Sequence, residues 1–274
     1  MIPQTAAKHE NDFSEGPAIQ MIKIGSLIVL FGLTACLYAA VGFGGGSTYI
    51  ALLVAAGTDY SLIPIIALSC NITVVSGNAL RYSRYDLIPW GKLWPILLTS
   101  IPLAWLGGRI NIPETLFIFL LAIALFITGI KLLTKTTLID SSKITATSPL
   151  KSGMLGGGIG FFSGLVGIGG GIFLAPILYA LNWGQAKNIS AACSIFILLN
   201  SISGFAGQFM KLAQSKTAIE ALEYWPLIPA VLFGGLIGNY LGIRRLSQNW
   251  VQRLTGILIL IVAIRLSIDL SQRI

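Results

Sequence analysis

Residues 41–47 read Val-Gly-Phe-Gly-Gly-Gly-Ser, and residues 166–172 read Val-Gly-Ile-Gly-Gly-Gly-Ile. Both clusters interrupt apolar sequence, where each glycine costs a helix roughly 1 kcal/mol relative to alanine. Each is followed by a short apolar run, residues 47–56 and 172–181. A break placed twice in the same surroundings belongs to a construction, not to an accident of composition.

The correspondence extends beyond the clusters. Gly42, Gly44, Gly45 and Gly46 return 125 positions later as Gly167, Gly169, Gly170 and Gly171, and Ala67 and Ser69 return as Ala192 and Ser194. After a longer loop the spacing becomes 134, which pairs Pro95, Gly108 and Lys131 with Pro229, Gly242 and Arg265. This is an internal duplication, a frequent construction of secondary transporters. The joint is residues 134–152, a stretch rich in Ser, Thr, Lys and Pro that reads as a solvated loop. The chain thus divides into a polar tail at 1–21, a repeat at 22–133, the connecting loop at 134–152 and a second repeat at 153–274.

Of the 274 residues 55% are hydrophobic and only 10% charged, with a mean hydropathy of +0.82. Soluble domains carry roughly 25% charged residues. The apolar runs approach the roughly 20 residues that cross a bilayer as helix, and they lack the alternation of barrel strands. The net charge of +8 resides on Lys and Arg placed singly or in pairs between apolar runs, the pattern of membrane-face loops, and no nucleic-acid partner is expected. Cys36, Cys70 and Cys193 lie inside apolar runs with no paired spacing, so they read as buried small residues. His9, the one histidine, stands in the polar tail and reads as solvated.

Each half contains a glycine-broken segment followed by three ordinary spans. These are 22–56, 61–80, 88–106 and 115–133 in the first half, and 153–181, 188–207, 224–241 and 250–270 in the second. As one straight helix, residues 22–56 would reach roughly 50 Å, against a hydrocarbon core of about 30 Å. A helix in, a break at the glycines and a short helix back out fits. Each half then ends on the side opposite its start, and the fold class is an all-α integral membrane protein of two inverted repeats, each a glycine-broken helical hairpin plus three transmembrane helices. Loop charge favours the other reading. The inverted topology gathers 11 of the 18 basic residues on one face, whereas a single crossing of each broken segment splits them 13 to 5. Length is given precedence, because residues such as Lys8 and Arg273 in the chain ends inflate the second count.

A helix begins with N–H groups that lack intrahelical partners, and its dipole adds about half a positive charge there. Helices starting at Ser47 and Ile172 near mid-membrane would aim two such starts at one place, with Ser47 as N-cap. The bare glycines Gly44, Gly45, Gly46, Gly169, Gly170 and Gly171 permit positive φ and let a ligand touch the backbone, as in anion-binding nests. Neutral donors of this kind suit a multivalent anion that must also be released. On this reading, valine at Gly45 or Gly170 abolishes binding and leaves the protein folded. Helix packing is the competing use of glycine, and it suits Gly153, Gly157, Gly160, Gly164, Gly234, Gly238 and Gly242, spaced three or four apart.

The next spans add polar groups. Ser69, Asn71, Thr73, Ser76 and Asn78 stand in one, and Ser194, Asn200, Ser201 and Ser203 in the other. Such a stripe either lines a path or joins helices by hydrogen bonds, and Asn71, Ser76, Asn200 and Ser201 are taken as further binding residues. All ten acidic residues lie at or beyond the ends of apolar runs, which argues against a proton relay through a mid-membrane carboxylate. Arg81 and Arg109 at span ends either draw anions to the entrances or anchor helices at headgroups. No metal or cofactor is expected. An enzyme would need a nucleophile, base or metal cluster, and the spans hold only isolated Ser and Cys.

The paired stretches GFGGGSTYIALL and GIGGGIFLAPIL, with ALSCNITVVSGN and ISAACSIFILLNSISG after them, resemble the sulfite exporter TauE/SafE family of membrane permeases over roughly residues 22–270. The resemblance implies carriage of a small sulfur-containing anion such as sulfite, thiosulfate or a sulfonate across a bacterial inner membrane. The partners so implied are that anion and the bilayer, and a homo-oligomer is compatible with the sequence. Pro176 follows the second glycine cluster and no proline follows the first, so the half-sites are expected to be unequal. An anion-selective channel without alternating access is the alternative, separable by saturable flux or counterflow.

Overall fold

The computed structural model describes residues 17–40, 42–134, 148–212 and 220–242, with five isolated helical positions between 257 and 268. Most of the polar tail with His9, most of the connecting loop, and most of the expected span 250–270, Arg265 included, lie outside the described residues. Among the described residues the chain is helical, with no strand.

The elements are α1 (Pro17–Ala40), α2 (Gly46–Ala55), α3 (Ile63–Arg84), α4 (Trp90–Arg109), α5 (Glu114–Thr134), α6 (Pro149–Val166), α7 (Gly171–Ala180), α8 (Ala186–Leu212) and α9 (Leu227–Gly242), with a 3₁₀ turn at Glu220–Tyr224 before α9. Stretches Ile63–Arg84, Lys187–Lys211 and Glu220–Leu241 are long and apolar enough to cross a membrane, and Ile24–Ala40 and Gly46–Ala55 are shorter apolar helices. The protein is a multi-pass membrane protein. Its outward surface agrees with that: Val29, Leu33, Trp94, Leu98, Phe233 and Ile237 are all exposed, which lipid favours and water would not.

Both breaks are made by the same cap. α1 gives way at Gly42, with φ +84, and the N–H of Phe43 reaches back to the carbonyl of Tyr38 at 2.9 Å. α6 gives way at Gly167, also φ +84, and the N–H of Ile168 reaches back to Ser163 at 3.2 Å. These left-handed glycine caps pair the last carbonyls of each helix, groups that lipid would otherwise leave unsatisfied. The element ends otherwise differ from the expected ones by a few residues; α3, for instance, runs on to Arg84 because Arg81 and Arg84 complement its C-terminal dipole.

Packing runs through small residues. A Cβ on Gly156, Gly160 or Gly164 would collide with backbone at Ile96, Ser100 and Ala104 respectively. Both series climb in steps of four, so α4 and α6 lie side by side and run the same way. Gly234 and Gly238 sit in the same manner on Gly32 and Cys36, which makes α1 and α9 parallel neighbours. The packing role expected for Gly160, Gly164, Gly234 and Gly238 is therefore observed. Gly153 is only in ordinary contact, 3.5 Å from Pro95 O, Gly157 faces the Leu103 side chain, and Gly156 does the work instead. Asn71 meets Ser201 while Leu68 meets Gly204, so α3 and α8 run in opposite directions. α2 is embedded in one apolar cluster with Phe31, Ala35 and Val74, and α7 in another with Leu93, Trp183 and Phe196.

Candidate functional site

The ladder of α2 opens with the N–H of Tyr49 to the carbonyl of Gly45 at 2.8 Å, so the N–H groups of Gly46, Ser47 and Thr48 stand ahead of the first intrahelical bond. In α7 the N–H groups of Phe173 and Leu174 both reach Gly170 O at 3.1 Å, leaving those of Gly171 and Ile172 ahead of it. Each start falls one residue earlier than the sequence suggests. The N-cap of α2 is Gly45, with no side-chain cap bond, so Ser47 is a buried first-turn residue and not the cap. The hydroxyl that is tied down is that of Thr48, 2.9 Å from the Tyr38 phenol oxygen.

The two breaks touch. A Cβ on Gly46 would strike Ile168 O, one on Gly44 would strike Asn71 Oδ1, and one on Gly169 would strike Asn71 Nδ2 and lie 2.7 Å from Ser201 Oγ. The Asn71 side chain threads between them and donates from Nδ2 to Ile168 O at 3.2 Å and to Ser201 Oγ at 3.3 Å. Asn78 donates to Phe43 O at 3.1 Å, and Ser194 donates to Gly42 O at 2.6 Å. α3 and α8 therefore hold the break between α1 and α2 by its carbonyls, which leaves the amides of α2 as the groups without helical partners.

Of the residues read from sequence, Gly44, Gly46, Gly169, Asn71 and Ser201 come together. Gly45 packs instead against Tyr49 and Thr34, Gly170 against Phe196, Ile159 and Ser163, and Gly171 against Ile197. Ser76 is exposed and bonded to Ile72 O of its own helix at 2.7 Å. Asn200 turns to α4, donating to Ser100 Oγ at 3.0 Å. Both serve helices and stand apart from the breaks. Arg81 donates to Asn239 O at 3.1 Å and lies over the Tyr82 ring, while Arg109 lies over Trp105; both read as anchors. Ile168 and Thr48 were missed, since a backbone carbonyl has no sequence signature and Thr48 shares its apolar surroundings with every helix here.

Two expectations are corrected. Positive φ occurs at Gly169 (+83) and Gly170 (+76) but not at Gly44, Gly45 or Gly46; in the first cluster glycine is required by space, in the second by conformation as well. For the same reason valine at Gly45 or Gly170 should disturb the local packing as well as any binding. At Gly45 a Cβ would lie 2.7 Å from the Tyr49 ring, and at Gly170 it would lie 2.8 Å from Phe196 in a backbone state that L residues resist.

This is a multi-pass helical protein whose glycine breaks meet inside the helix packing, and the family and relatives it matches are membrane transporters. The sequence pattern described as "Sulfite exporter TauE/SafE" matches residues 27–266, and the chain belongs to that family. It is 32% identical over 245 residues to the "Probable membrane transporter protein y4hK" of Sinorhizobium fredii, covering 88% of this chain and 96% of that one. A "Probable membrane transporter protein" of Haemophilus influenzae is 28% identical over 65% of this chain and 72% of its own. The "Probable membrane transporter protein MamO" of Magnetospirillum gryphiswaldense is 22% identical over 86% of this chain but only 43% of its own. No solved structure matches the chain.

Proposed function

We propose that this protein is a secondary permease that carries a small sulfur-containing oxyanion, such as sulfite, thiosulfate or an organosulfonate, across the inner membrane. The two halves act as inverted repeats, each a glycine-broken hairpin followed by three spans. The hairpins are supported by Phe31 stacked on Tyr49 at 4.6 Å and by Phe162 edge-on to Phe173 at 5.8 Å, which bring each short helix back along the one before it. Inversion is supported by the opposed directions of the equivalent helices α3 and α8, and by the exchange in which the first helix of each half lies on the fourth of the other.

The observation that carries the reading is the meeting of the breaks at Gly46 and Ile168, bridged by Asn71. The first-turn amides of α2 and α7 flank that meeting point and supply donors to an anion without a buried cation. Their dehydrated setting makes each such hydrogen bond worth more than it is in water.

The test is flux in proteoliposomes across sulfite, thiosulfate, sulfate, short sulfonates and short carboxylates. Saturable uptake of at least one sulfur oxyanion, with counterflow on loading the lumen, is the expected result. Removing the Asn71 bridge as Asn71→Ala should lower that uptake about tenfold or more, through loss of a buried hydrogen-bonding group. Uptake linear in substrate, without counterflow, would identify a channel; preference for carboxylates over every sulfur anion would refute the substrate assignment.

A further inference from the structure

We propose that the site selects a singly charged oxyanion that still carries one hydrogen, so that a proton crosses the membrane on the substrate itself; this rests on the functional reading above and narrows its sulfur oxyanions to hydrogensulfite, since thiosulfate and simple sulfonates keep no hydrogen near neutral pH. Two independent features lead there. The first is charge. Each helix start presents about half a unit of positive charge, so α2 and α7 together offer at most about one; the opposing ends of α1 and α6 at the same breaks have their carbonyls paired, by the cap amides of Gly42, Phe43, Gly167 and Ile168 and by Gln208. Among the described residues no Lys, Arg or His touches either break, and Arg81, Lys92 and Arg109 are committed near helix ends to Asn239, Trp183 and Trp105. The ionisable side chains seen against the breaks are the phenols of Tyr82 at Gly42 and Tyr49 at Gly45, and the described carboxylates stay at helix ends. A monoanion is balanced by this arrangement, whereas a dianion brings a second charge that nothing offsets.

The second feature is Asn71, 1% exposed. Its orientation is fixed chemically: Ile168 O can only accept, so the Nδ2 end must face it, and that end also donates to Ser201 Oγ. The other end, Oδ1, is buried with no hydrogen-bond partner and lies against Gly44, where a Cβ would strike it. A buried acceptor of this kind repels a bare oxyanion oxygen and is satisfied by a hydrogen the anion brings. The repeat-equivalent position holds Phe196, so this acceptor has no counterpart in the second half; Asn78, which holds Phe43 O, likewise leaves its Oδ1 buried without a hydrogen-bond partner. Buried acceptors still short of a hydrogen, with no more than about one unit of balancing charge, describe an anion that keeps a hydrogen, in place of the multivalent anion that neutral donors alone suggest.

The experiment uses the full chain in proteoliposomes at fixed membrane potential. Initial sulfite flux at low substrate is followed across the second ionisation of sulfurous acid, beside methanesulfonate, a monoanion with no dissociable hydrogen. Sulfite flux should fall about tenfold per pH unit above that ionisation, following hydrogensulfite. Methanesulfonate should show no such fall and should compete about tenfold less well than hydrogensulfite. Asn71→Leu keeps the volume and removes the acceptor, and the ratio between the two anions should then collapse toward unity; if that variant does not fold, the wild-type profile decides alone. Flux that follows total sulfite, methanesulfonate competing as well as hydrogensulfite, or a requirement for sodium with no pH dependence would each overturn the inference while leaving the permease reading intact. Absence of saturable flux for every anion at every pH would overturn both.

Discussion

Glycine is used here in three physically different ways, and substitution by alanine separates them. Gly25 lies in α1 with open space around its Cβ position and ordinary helical φ, so Gly25→Ala should raise stability by about 0.5–1 kcal/mol. Gly57 has φ +76 but also open space, so Gly57→Ala should cost only the left-handed strain, about 1–2 kcal/mol. Gly170 has the same φ with Phe196, Ile159 and Ser163 crowding the position, and Gly170→Ala should be the worst of the three. Thermal unfolding in one detergent, read as the order Gly25→Ala, wild type, Gly57→Ala, Gly170→Ala, checks this; a Gly170→Ala protein as stable as Gly57→Ala would remove the crowding argument. The doubled triplets were legible in sequence because three adjacent glycines exceed what helix packing needs. Which glycine answers to φ and which to space was not, since both demands select the same residue.

Among elements, the α4–α6 pair depends on backbone-to-backbone approach at Gly156, Gly160 and Gly164. Even one methyl at Gly160 would meet Ser100 backbone, so Gly160→Ala should destabilise by about 1–3 kcal/mol, the usual cost of overpacking. Gly153→Ala, three and a half ångströms from its nearest neighbours, should lie within about 0.5 kcal/mol of wild type. Melting temperature and monodispersity on size exclusion distinguish them, and equal behaviour of the two variants would contradict the register given for this helix pair. The sequence shows the helices themselves, because long apolar runs punctuated by Pro64, Pro89 and Pro149 leave few alternatives. It does not show which glycine spacing faces a neighbour: Gly153 and Gly157 keep a spacing as good as that of Gly156 and Gly160, and only the partner helix decides between faces about sixty degrees apart.

For the whole molecule, length and loop charge pull the sequence reading in opposite directions, because neither reports where a broken segment goes after its break. Contacts between helix ends do. Lys92, at the start of α4, donates to Trp183 O at 3.2 Å just before α8, while Tyr224 donates to Thr58 Oγ1 at 3.3 Å at the other end of α3. If each broken segment returns to the side it came from, Lys92 and Lys187 emerge on one face, and Thr58 and Arg109 on the opposite one. If each broken segment crosses once, Lys92 and Lys187 fall on opposite faces. Single cysteines in place of Lys92, Lys187, Thr58 and Arg109, made in a Cys36→Ala background with Cys70 and Cys193 buried, can be challenged with a membrane-impermeant thiol reagent on sealed vesicles of one orientation. The inverted arrangement requires Lys92→Cys and Lys187→Cys to react together, and Thr58→Cys and Arg109→Cys to react together only from the other side. Labelling of Lys92→Cys and Lys187→Cys from different sides would leave the starts of α2 and α7 without a common meeting point, and the anion site would fall with the topology.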